Sequence, residues 1–472
     1  MRRGLRDVEP LAIGLAAVLF YAATGAREVL WGDPTKLTLM VHAFNLELSQ
    51  WAHVGNMLLS WPFTALPVEP YAYRLHLYSA LCAGVAMGFL HATLLAVGIA
   101  RWPARVGTAA VAVAHTVWLT GAMYESYPLV LLCLALAGWL LVARGLPFSA
   151  GAALGLGALG HNICLFAAPA LALGLWKAGR KRAVVAAIAG LALGWLVPTA
   201  LMSSAGATGK GIGGWWEVVE KYADPELPLR NAPLLVGYAV YNLAGPALLL
   251  LGLGLRRIGA RLALPALVFV GIHYAVAVFW MTQRAYLIPL PVYLAAAYPI
   301  ALGAERLLER WRGRGPLLLG LTVACPVLVY AIAPGLYNAL GLPRVIRDAP
   351  FREEARYFLR PWKVDELSAR SYVDAIDGAA PQGALLVGDF ILLTPIEYAQ
   401  KIEGWRPDLA IYKVDHQEPL NIRVRIAAHL DAGGRVFLLD DGPDYHLEEL
   451  AELGEASAVP GVESMLELKP QD

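Results

Sequence analysis

The chain has 472 residues, of which 58% are hydrophobic and 16% charged, against about 25% charged in an average soluble domain. Residues 344–472 carry 14 basic and 24 acidic side chains, whereas residues 1–343 carry 24 basic and 13 acidic ones. This division excludes a single soluble globule, and the lack of a basic stripe in the soluble part argues against a nucleic acid partner. We therefore predict a membrane domain, residues 1–342, followed by a soluble acidic domain, residues 343–472.

Apolar segments predict the helices of the membrane domain. The segment 148–177 is too long for one untilted span and has His161-Asn162 at its middle, so we interpret it as two short helices that meet at this pair. The first apolar segment resembles a signal peptide, but we interpret it as an uncleaved span. The prediction is about eleven spans: 10–27, 73–99, 106–123, 127–143, the two halves of 148–177, 183–202, 232–254, 262–280, 286–303 and 317–337.

The distribution of basic residues orients these spans. With the N-terminus in the cytoplasm, the inner segments hold 17 Lys and Arg residues and the outer segments hold seven. An odd number of spans then places the acidic domain outside the cell. The predicted fold class is a polytopic α-helical membrane protein of the cytoplasmic membrane, with a small extracytoplasmic α/β domain at its C-terminus.

Two outer segments are long, and the soluble domain alternates between strand-like and helical patterns. Residues 28–72 are predicted to include helices at the membrane interface, and residues 203–231 a flexible loop followed by an interfacial helix. In the soluble domain the pattern predicts strands and helices with a turn at Gly433-Gly434. The strands are Ala384–Val387, Leu409–Tyr412 and Val436–Leu439, and the helices are Pro395–Ile402 and Ile422–Leu430.

The candidate functional residues are polar side chains near the outer ends of spans, where charges are costly and usually functional. Asp33 and Glu125 are the strongest candidates, with His161, Arg284 and Arg74 beside them. The four cysteines and the scattered acidic residues show no metal-ligand spacing, so no metal ion and no cofactor is predicted.

This set of residues is suited to moving a sugar from a lipid phosphate to an acceptor at the outer face. A carboxylate takes the proton of the acceptor hydroxyl, and cations hold the departing phosphate. The spans supply an apolar groove for the lipid. No nucleotide-binding glycine motif is present, and this reaction needs none.

Each candidate also has a structural alternative. Asp33 is well placed to cap the helix that follows it, and Glu125 fits a solvated turn. His161 fits a packing residue at a helix break, Arg284 an interfacial anchor, and Arg74 a cation that snorkels to the membrane surface.

The same residues carry a resemblance to the protein O-mannosyltransferase-like family of multi-spanning GT-C glycosyltransferases. Each motif alone is weak, but all occur in the family's order along nearly the whole chain. They are Trp31-Gly32-Asp33 after the first span, Tyr73–Leu81, Trp118–Tyr127, Gly155–Asn162, Arg284–Pro289 and Glu403–Asp408. The resemblance implies a polyprenyl-phosphate sugar donor, often carrying mannose, an acceptor hydroxyl on a protein or glycan, and Asp33 as the catalytic base.

Two positions depart from the family pattern. Lys36 stands where the family has a glutamate, so a pair of carboxylates is not implied, and we assign Lys36 to the donor phosphate as a point charge. The family's H-P-P-G-Y-P stretch is replaced by Leu48–Gly55, in which His53 is loosely comparable and is assigned to the acceptor side.

The leading hypothesis is an inverting glycosyltransferase that uses a lipid-linked sugar. Asp33 is the expected base, supported by Glu125, while Arg284, His161, Arg74 and Lys36 are expected to bind the donor phosphate. Its expected partners are the lipid-linked donor, the protein or glycan acceptor and membrane lipids. The alternatives are a transporter or flippase and a non-catalytic family member that binds a lipid-linked glycan.

Overall fold

The computed structural model describes residues 8–44, 53–204, 226–280, 282–342, 349–414, 419–442, 445, 447–462 and 464–470. The first half of the membrane domain contains α1 (Glu9–Thr24), α2 (Asp33–Ala43), α3 (Val54–Ser60), α4 (Tyr71–Ala96), α5 (Arg101–Ala112), α6 (His115–Gly121), α7 (Tyr127–Val142), α8 (Pro147–Ala158), α9 (Ala168–Lys177) and α10 (Lys181–Ser204). The second half contains α11 (Leu227–Asn242), α12 (Pro246–Leu255), α13 (Ala260–Val278), α14 (Leu290–Arg310) and α15 (Gly315–Ala339). Short 3-10 helices cover Trp61–Ala65, Asn162–Ala167 and Thr282–Leu287.

Five of the described helices are long and apolar enough to cross a membrane: Tyr71–Ala96, Lys181–Leu201, Ala260–Val278, Ala285–Arg310 and Gly315–Ala339. The pair α11 and α12 would make a sixth if it is one span, and three further apolar helices are shorter. The protein is therefore a helical membrane protein, and the count of eleven spans stays a prediction.

The helix break predicted at His161 is confirmed, because α8 ends at Ala158 and the next helical turn begins at Asn162. Glycines bring α8 and α10 into close contact: a β-carbon on Gly151 would lie 1.9 Å from the Ala187 carbonyl oxygen, and one on Gly155 would lie 2.5 Å from that of Leu191. From Gly151 to Gly155 the contact moves about one turn along α8, and it moves about one turn in the same sense along α10, from Ala187 to Leu191. The two helices therefore run in the same direction. The chain must therefore reverse at His161 and return along α9.

The helices of the predicted spans 106–123 and 232–254 are each broken in the structure. The first divides into α5 and α6, and the second bends by 103° between α11 and α12, where Gly245 has a φ of 75° and Pro246 starts a new helix. The backbone N–H of Thr116, in the first turn of α6, donates to Oδ1 of Asn242 at 2.7 Å. Asn242, at the break between α11 and α12, thus supplies the acceptor for a backbone N–H group at the start of α6, just after the break between α5 and α6.

The C-terminal domain is a five-stranded sheet in the order β2-β1-β3-β5-β4. Its strands are β1 (Leu385–Gly388), β2 (Ala410–Lys413), β3 (Val436–Leu438), β4 (Gly454–Ala458) and β5 (Leu466–Pro470). Its helices are α16 (Glu354–Leu359), α17 (Ser368–Ala379), α18 (Phe390–Glu403), α19 (Pro419–Asp431) and α20 (Leu447–Leu450). The three predicted strands are confirmed and are parallel to one another, whereas β4 and β5 form an antiparallel extension that the sequence pattern did not predict.

The C-terminal domain packs on the ends of the membrane helices where α1 ends and α2 and α4 begin. Lys363 is the most deeply buried cation of this contact, at 1% exposure, and its backbone N–H donates to the Thr24 carbonyl oxygen at 2.8 Å. Further hydrogen bonds across the contact include Trp31 Nε1 to Ser368 Oγ at 2.7 Å, Gly32 N to Thr394 Oγ1 at 3.1 Å, and Ala72 N to the Tyr398 hydroxyl at 3.1 Å.

The opposite end of the bundle carries basic residues that the sequence places in the cytoplasm. Glu9 at the start of α1 pairs with Arg105 at 2.6 Å and with Arg101 at 3.3 Å. Arg257 pairs with Glu309 at 3.0 Å. The C-terminal domain and these ion pairs thus lie at opposite ends of the helices, while the membrane face that each end occupies stays a prediction. The predicted loop and interfacial helix around Trp215-Trp216-Glu217 lie outside the described residues.

Candidate functional site

Asp33 lies directly beneath the C-terminal domain. It is the first residue of α2, one position earlier than the sequence predicts, with Gly32 as the N-cap residue and Pro34 following. Gly32 has a φ of 69°, a conformation that L side chains rarely adopt, and a β-carbon there would lie 3.7 Å from the Phe390 ring. This turn therefore brings the half-buried Asp33 close to the start of α18.

Lys36 lies on the same face of α2, because it follows Asp33 by three residues. Its ammonium nitrogen is 5.4 Å from the centroid of the Phe390 ring. Burial lowers the pKa of Lys36, and the nearby charge of Lys413 lowers that pKa further. Lys36 thus has a second cation, from the C-terminal domain, as its neighbour.

Glu125 is buried at 6% exposure in the turn between α6 and α7, so the alternative of a solvated turn residue is wrong. Two side chains of α4 hold this turn: Ser79 Oγ accepts from the Glu125 N–H at 3.2 Å, and His76 Nδ1 accepts from the Tyr124 N–H at 2.8 Å. Burial raises the pKa of the Glu125 carboxyl to about 8. At neutral pH this carboxyl is therefore mostly protonated and able to donate a hydrogen bond.

His53 and His161 come together although they are far apart in the sequence. Gly55 N donates to the Leu159 carbonyl oxygen at 3.0 Å, which fixes the start of α3 against the break after α8. The His53 and His161 ring centroids are 5.6 Å apart, and the His161 ring stacks on Tyr127 at 4.8 Å.

The hydrogen bonds of the two histidines determine where their protons lie. His53 Nδ1 is 2.9 Å from the Gly160 carbonyl oxygen and must donate to it, so the neutral ring has a lone pair on Nε2. Burial lowers the pKa of His53 and so favours the neutral ring. His161 Nδ1 accepts from the Ile163 N–H at 3.2 Å, so in the neutral ring Nε2 carries the proton. The site thus contains one imidazole acceptor and one imidazole donor.

Arg74 and Arg284 differ from the other predicted residues. The Arg74 guanidinium donates to the carbonyl oxygens of Val68 and Thr64, each at 2.7 Å, and pairs with Glu69. These contacts hold the segment before α4 and do not connect Arg74 to the two histidines. Arg284 lies in the 3-10 helix Thr282–Leu287, and its side chain is outside the described residues.

The sequence did not predict the residues that the C-terminal domain contributes to this region. Phe390 and Lys413 adjoin Lys36, with the Lys413 ammonium nitrogen 5.1 Å from the Phe390 centroid. Arg352, at 9% exposure, lies over the rings of Trp31 and Tyr357 at 5.6 and 4.8 Å and pairs with Glu354 at 2.5 Å. The pattern of a soluble domain does not show which of its strand ends contact a membrane helix. The resemblance around Trp31 was therefore the only signal in the sequence that pointed to this contact.

In the part of the chain that the structure describes, no three His, Cys, Asp or Glu residues are grouped for a metal ion.

The fold of this chain is shared by a protein of known structure. It is similar to the crystal structure of ArnT from Cupriavidus metallidurans in the apo state, with a TM-score of 0.57 over 98% of this chain and 99% of that one. The two sequences are 13% identical, so the similarity shows the fold, and membership of the O-mannosyltransferase-like family stays a prediction. No family model and no curated protein sequence matches the chain.

Proposed function

We propose that the protein is an inverting glycosyltransferase of the cytoplasmic membrane, which moves a sugar from a polyprenyl phosphate to an acceptor hydroxyl at the outer face. The observation that carries this proposal is the position of Asp33. Its half-buried carboxylate lies in the first turn of the helix that follows α1, beneath the C-terminal domain, in a fold shared with a GT-C glycosyltransferase.

Asp33 is the base in this proposal. Its carboxylate accepts the proton of the acceptor hydroxyl while that oxygen attacks the anomeric carbon of the sugar. The bond between the anomeric carbon and the phosphate oxygen breaks on the opposite side, and the phosphate leaves with the electron pair. Attack and departure on opposite faces invert the configuration at the anomeric carbon.

Lys36, Arg284 and the Nε2–H of His161 are the proposed donors to the departing phosphate. Hydrogen bonds from cations to phosphate oxygens are stronger than neutral ones, and donors that are already in place stabilise charge as it develops. Arg74 is omitted from this group because its guanidinium holds the segment before α4.

Glu125 and His53 have different proposed roles from Asp33. A mostly protonated Glu125 donates a hydrogen bond that orients the acceptor or the sugar, so it is not a second base. The Nε2 lone pair of His53 accepts a hydrogen bond from a hydroxyl on the acceptor side.

A donor panel tests the proposal. The full chain in lipid nanodiscs is incubated with radiolabelled decaprenyl-phosphate mannose. Parallel samples receive decaprenyl-phosphate glucose or an aminoarabinose donor. Membrane protein and glycan extracts are the acceptors in every sample. Mannose is the first sugar to test because of the O-mannosyltransferase-like motifs. We expect label from at least one donor to appear on protein or glycan. If every donor binds and none is consumed, the chain is a non-catalytic binding protein.

A further inference from the structure

The turn between α9 and α10 concentrates positive charge. Lys177 ends α9, Arg180 follows in the turn, and Lys181 and Arg182 begin α10. All four side chains are exposed, and none of them forms an ion pair with a residue that the structure describes. Residues 126–216 contain no Asp or Glu, so the helices on either side supply no carboxylate that could balance these cations.

Backbone hydrogen bonds give this turn a defined shape. At the end of α9, the Gly179 N–H donates to the Trp176 carbonyl oxygen at 2.9 Å, and the Arg180 N–H donates to that of Leu175 at 3.0 Å. Gly179 has a φ of 74°, the left-handed conformation in which many helices end. The Arg180 carbonyl oxygen then accepts from the Ala183 N–H at 2.9 Å, which starts α10. The four cations are thus carried by one short connection between two helices.

The turn lies at the end of the bundle opposite to the C-terminal domain. Since α4 begins beneath that domain, Phe89, near the other end of α4, lies at the opposite end, and its ring packs on Trp139 near the end of α7 at 5.3 Å. The next helix, α8, begins directly after α7. A β-carbon on Gly190 of α10 would lie 2.0 Å from the carbonyl oxygen of Phe148, at the start of α8, and α8 and α10 run in the same direction. The first turn of α10 and its cations therefore lie at this same end.

The cations adjoin a surface that faces lipid. Trp176 is 57% exposed, and the Lys181 ammonium nitrogen lies 5.1 Å from the centroid of its ring. Further along α10, Val185 is 69% and Ile188 is 54% exposed, and only 17% of the apolar stretch of this helix is buried inside the protein. Tryptophan is enriched where a membrane meets water. A lipid can therefore place its acyl chains on α10 while its head group lies among the cations.

We propose that residues 177–182 bind the head groups of anionic phospholipids, at the membrane face opposite to the C-terminal domain. Each Lys or Arg close to an anionic membrane surface strengthens binding about fivefold. Phosphatidylcholine has the same phosphate as phosphatidylglycerol, but its choline cation cancels this attraction. The turn therefore selects phosphatidylglycerol over phosphatidylcholine, and Trp176 holds it at the depth of the head groups. This binding goes beyond the proposed sugar transfer and does not depend on it.

The test identifies the lipids at this turn by crosslinking. The full chain is placed in phosphatidylcholine nanodiscs with a small fraction of phosphatidylglycerol that carries a photoreactive diazirine close to its head group. A phosphatidylcholine probe with the same diazirine is the counterpart, and mass spectrometry locates the labelled residues. We expect the phosphatidylglycerol probe to label residues 177–185 at least about fivefold more than its counterpart does, the effect of one cation.

Variants of the turn separate charge from shape. The double variant Lys181→Gln with Arg182→Gln should lower labelling by the phosphatidylglycerol probe at least about fivefold and leave labelling by the phosphatidylcholine probe unchanged. Lys181→Arg with Arg182→Lys keeps both charges and should keep the labelling. The control Arg425→Gln with Lys469→Gln removes the same charge from exposed positions of the C-terminal domain and should have no effect. A higher salt concentration should reduce the preference for phosphatidylglycerol, because exposed charges are screened.

Two results would overturn the proposal: equal labelling of residues 177–185 by the two probes in the wild type, or unchanged labelling by the phosphatidylglycerol probe in Lys181→Gln with Arg182→Gln. Sugar transfer is recorded on the same samples. Selective, charge-dependent labelling without any transfer would support the lipid site and refute only the glycosyltransferase.

Discussion

The rings of His53 and His161 lie 5.6 Å apart and carry their protons on opposite nitrogens. His53 Nδ1 donates to the carbonyl of Gly160, the residue before His161, so this contact and the Gly55–Leu159 hydrogen bond tie the start of α3 to the break after α8. The pair is both a structural link and a source of one acceptor and one donor. The two functions can be separated by mutation.

His53→Phe should destabilise the protein, because the Gly160 carbonyl oxygen loses its donor. An unsatisfied buried carbonyl costs about 1–3 kcal/mol. The melting temperature in detergent should therefore fall relative to the wild type and to the control His42→Phe, which changes an exposed histidine of α2. Equal melting temperatures for the two variants would show that the contact does not hold α3 in place.

His161→Phe should reduce turnover and also lower stability, because the Ile163 N–H loses its acceptor. The phenyl ring can still stack on Tyr127, but the Nε2–H donor proposed for the phosphate is lost. Removal of one such donor reduces kcat by about 100-fold in other enzymes. His161→Asn keeps a donor and an acceptor and should retain more activity in the same transfer assay. If both variants turn over like the wild type, His161 has only a packing role.

Glu125→Gln should preserve transfer at pH 7, because a glutamine amide donates a hydrogen bond as the protonated carboxyl does. Burial raises the pKa of Glu125 from its ordinary 4.5 to about 8, so the wild type should lose activity above pH 8 while the variant does not. The measurement is the pH profile of kcat for both proteins. An inactive Glu125→Gln at pH 7 would instead indicate that the ionised carboxylate is required.

The same carboxyl should make stability depend on pH. Between pH 4.5 and about 8, folded Glu125 keeps a proton that the unfolded chain releases, so the free energy of unfolding falls as the pH rises through this window. Each pKa unit corresponds to about 1.4 kcal/mol, so the total is of the order of a few kcal/mol. Melting temperatures at pH 5 and pH 8 should therefore differ more for the wild type than for Glu125→Gln. A parallel pH dependence of the two proteins would contradict this.

Sequence patterns predicted the helices well because burying apolar side chains in lipid depends on composition alone. They missed the breaks before His115 and after Asn242, since hydropathy contains no information on backbone direction. Asp33, Glu125 and His161 could be chosen as costly polar residues near span ends. Lys413 could not, because its relevance arises only from how the C-terminal domain docks on α2.

Docking of the C-terminal domain can be measured through Trp31 and Ser368. Their hydrogen bond of 2.7 Å is buried, and Trp31→Phe removes it while keeping a ring beside Tyr372. A double-mutant cycle with Ser368→Ala should give a coupling energy of about 1 kcal/mol in the free energy of unfolding. Thr64→Ala, at an exposed hydroxyl, is the control that should show no coupling with Trp31→Phe. Additive effects of Trp31→Phe and Ser368→Ala would mean that this bond does not stabilise the domain contact.

The central claim is that Asp33 is the base of a sugar transfer from a lipid phosphate, and the turnover of Asp33→Asn tests it most directly. The measurement uses the labelled donor and acceptor that the wild type consumes, with decaprenyl phosphate affinity and melting temperature recorded on the same sample. Loss of a general base reduces rates by about 10²–10⁴-fold, so turnover should fall by at least 100-fold while affinity and melting temperature stay close to wild type. Turnover of Asp33→Asn within about threefold of wild type, well short of that loss, would contradict the account.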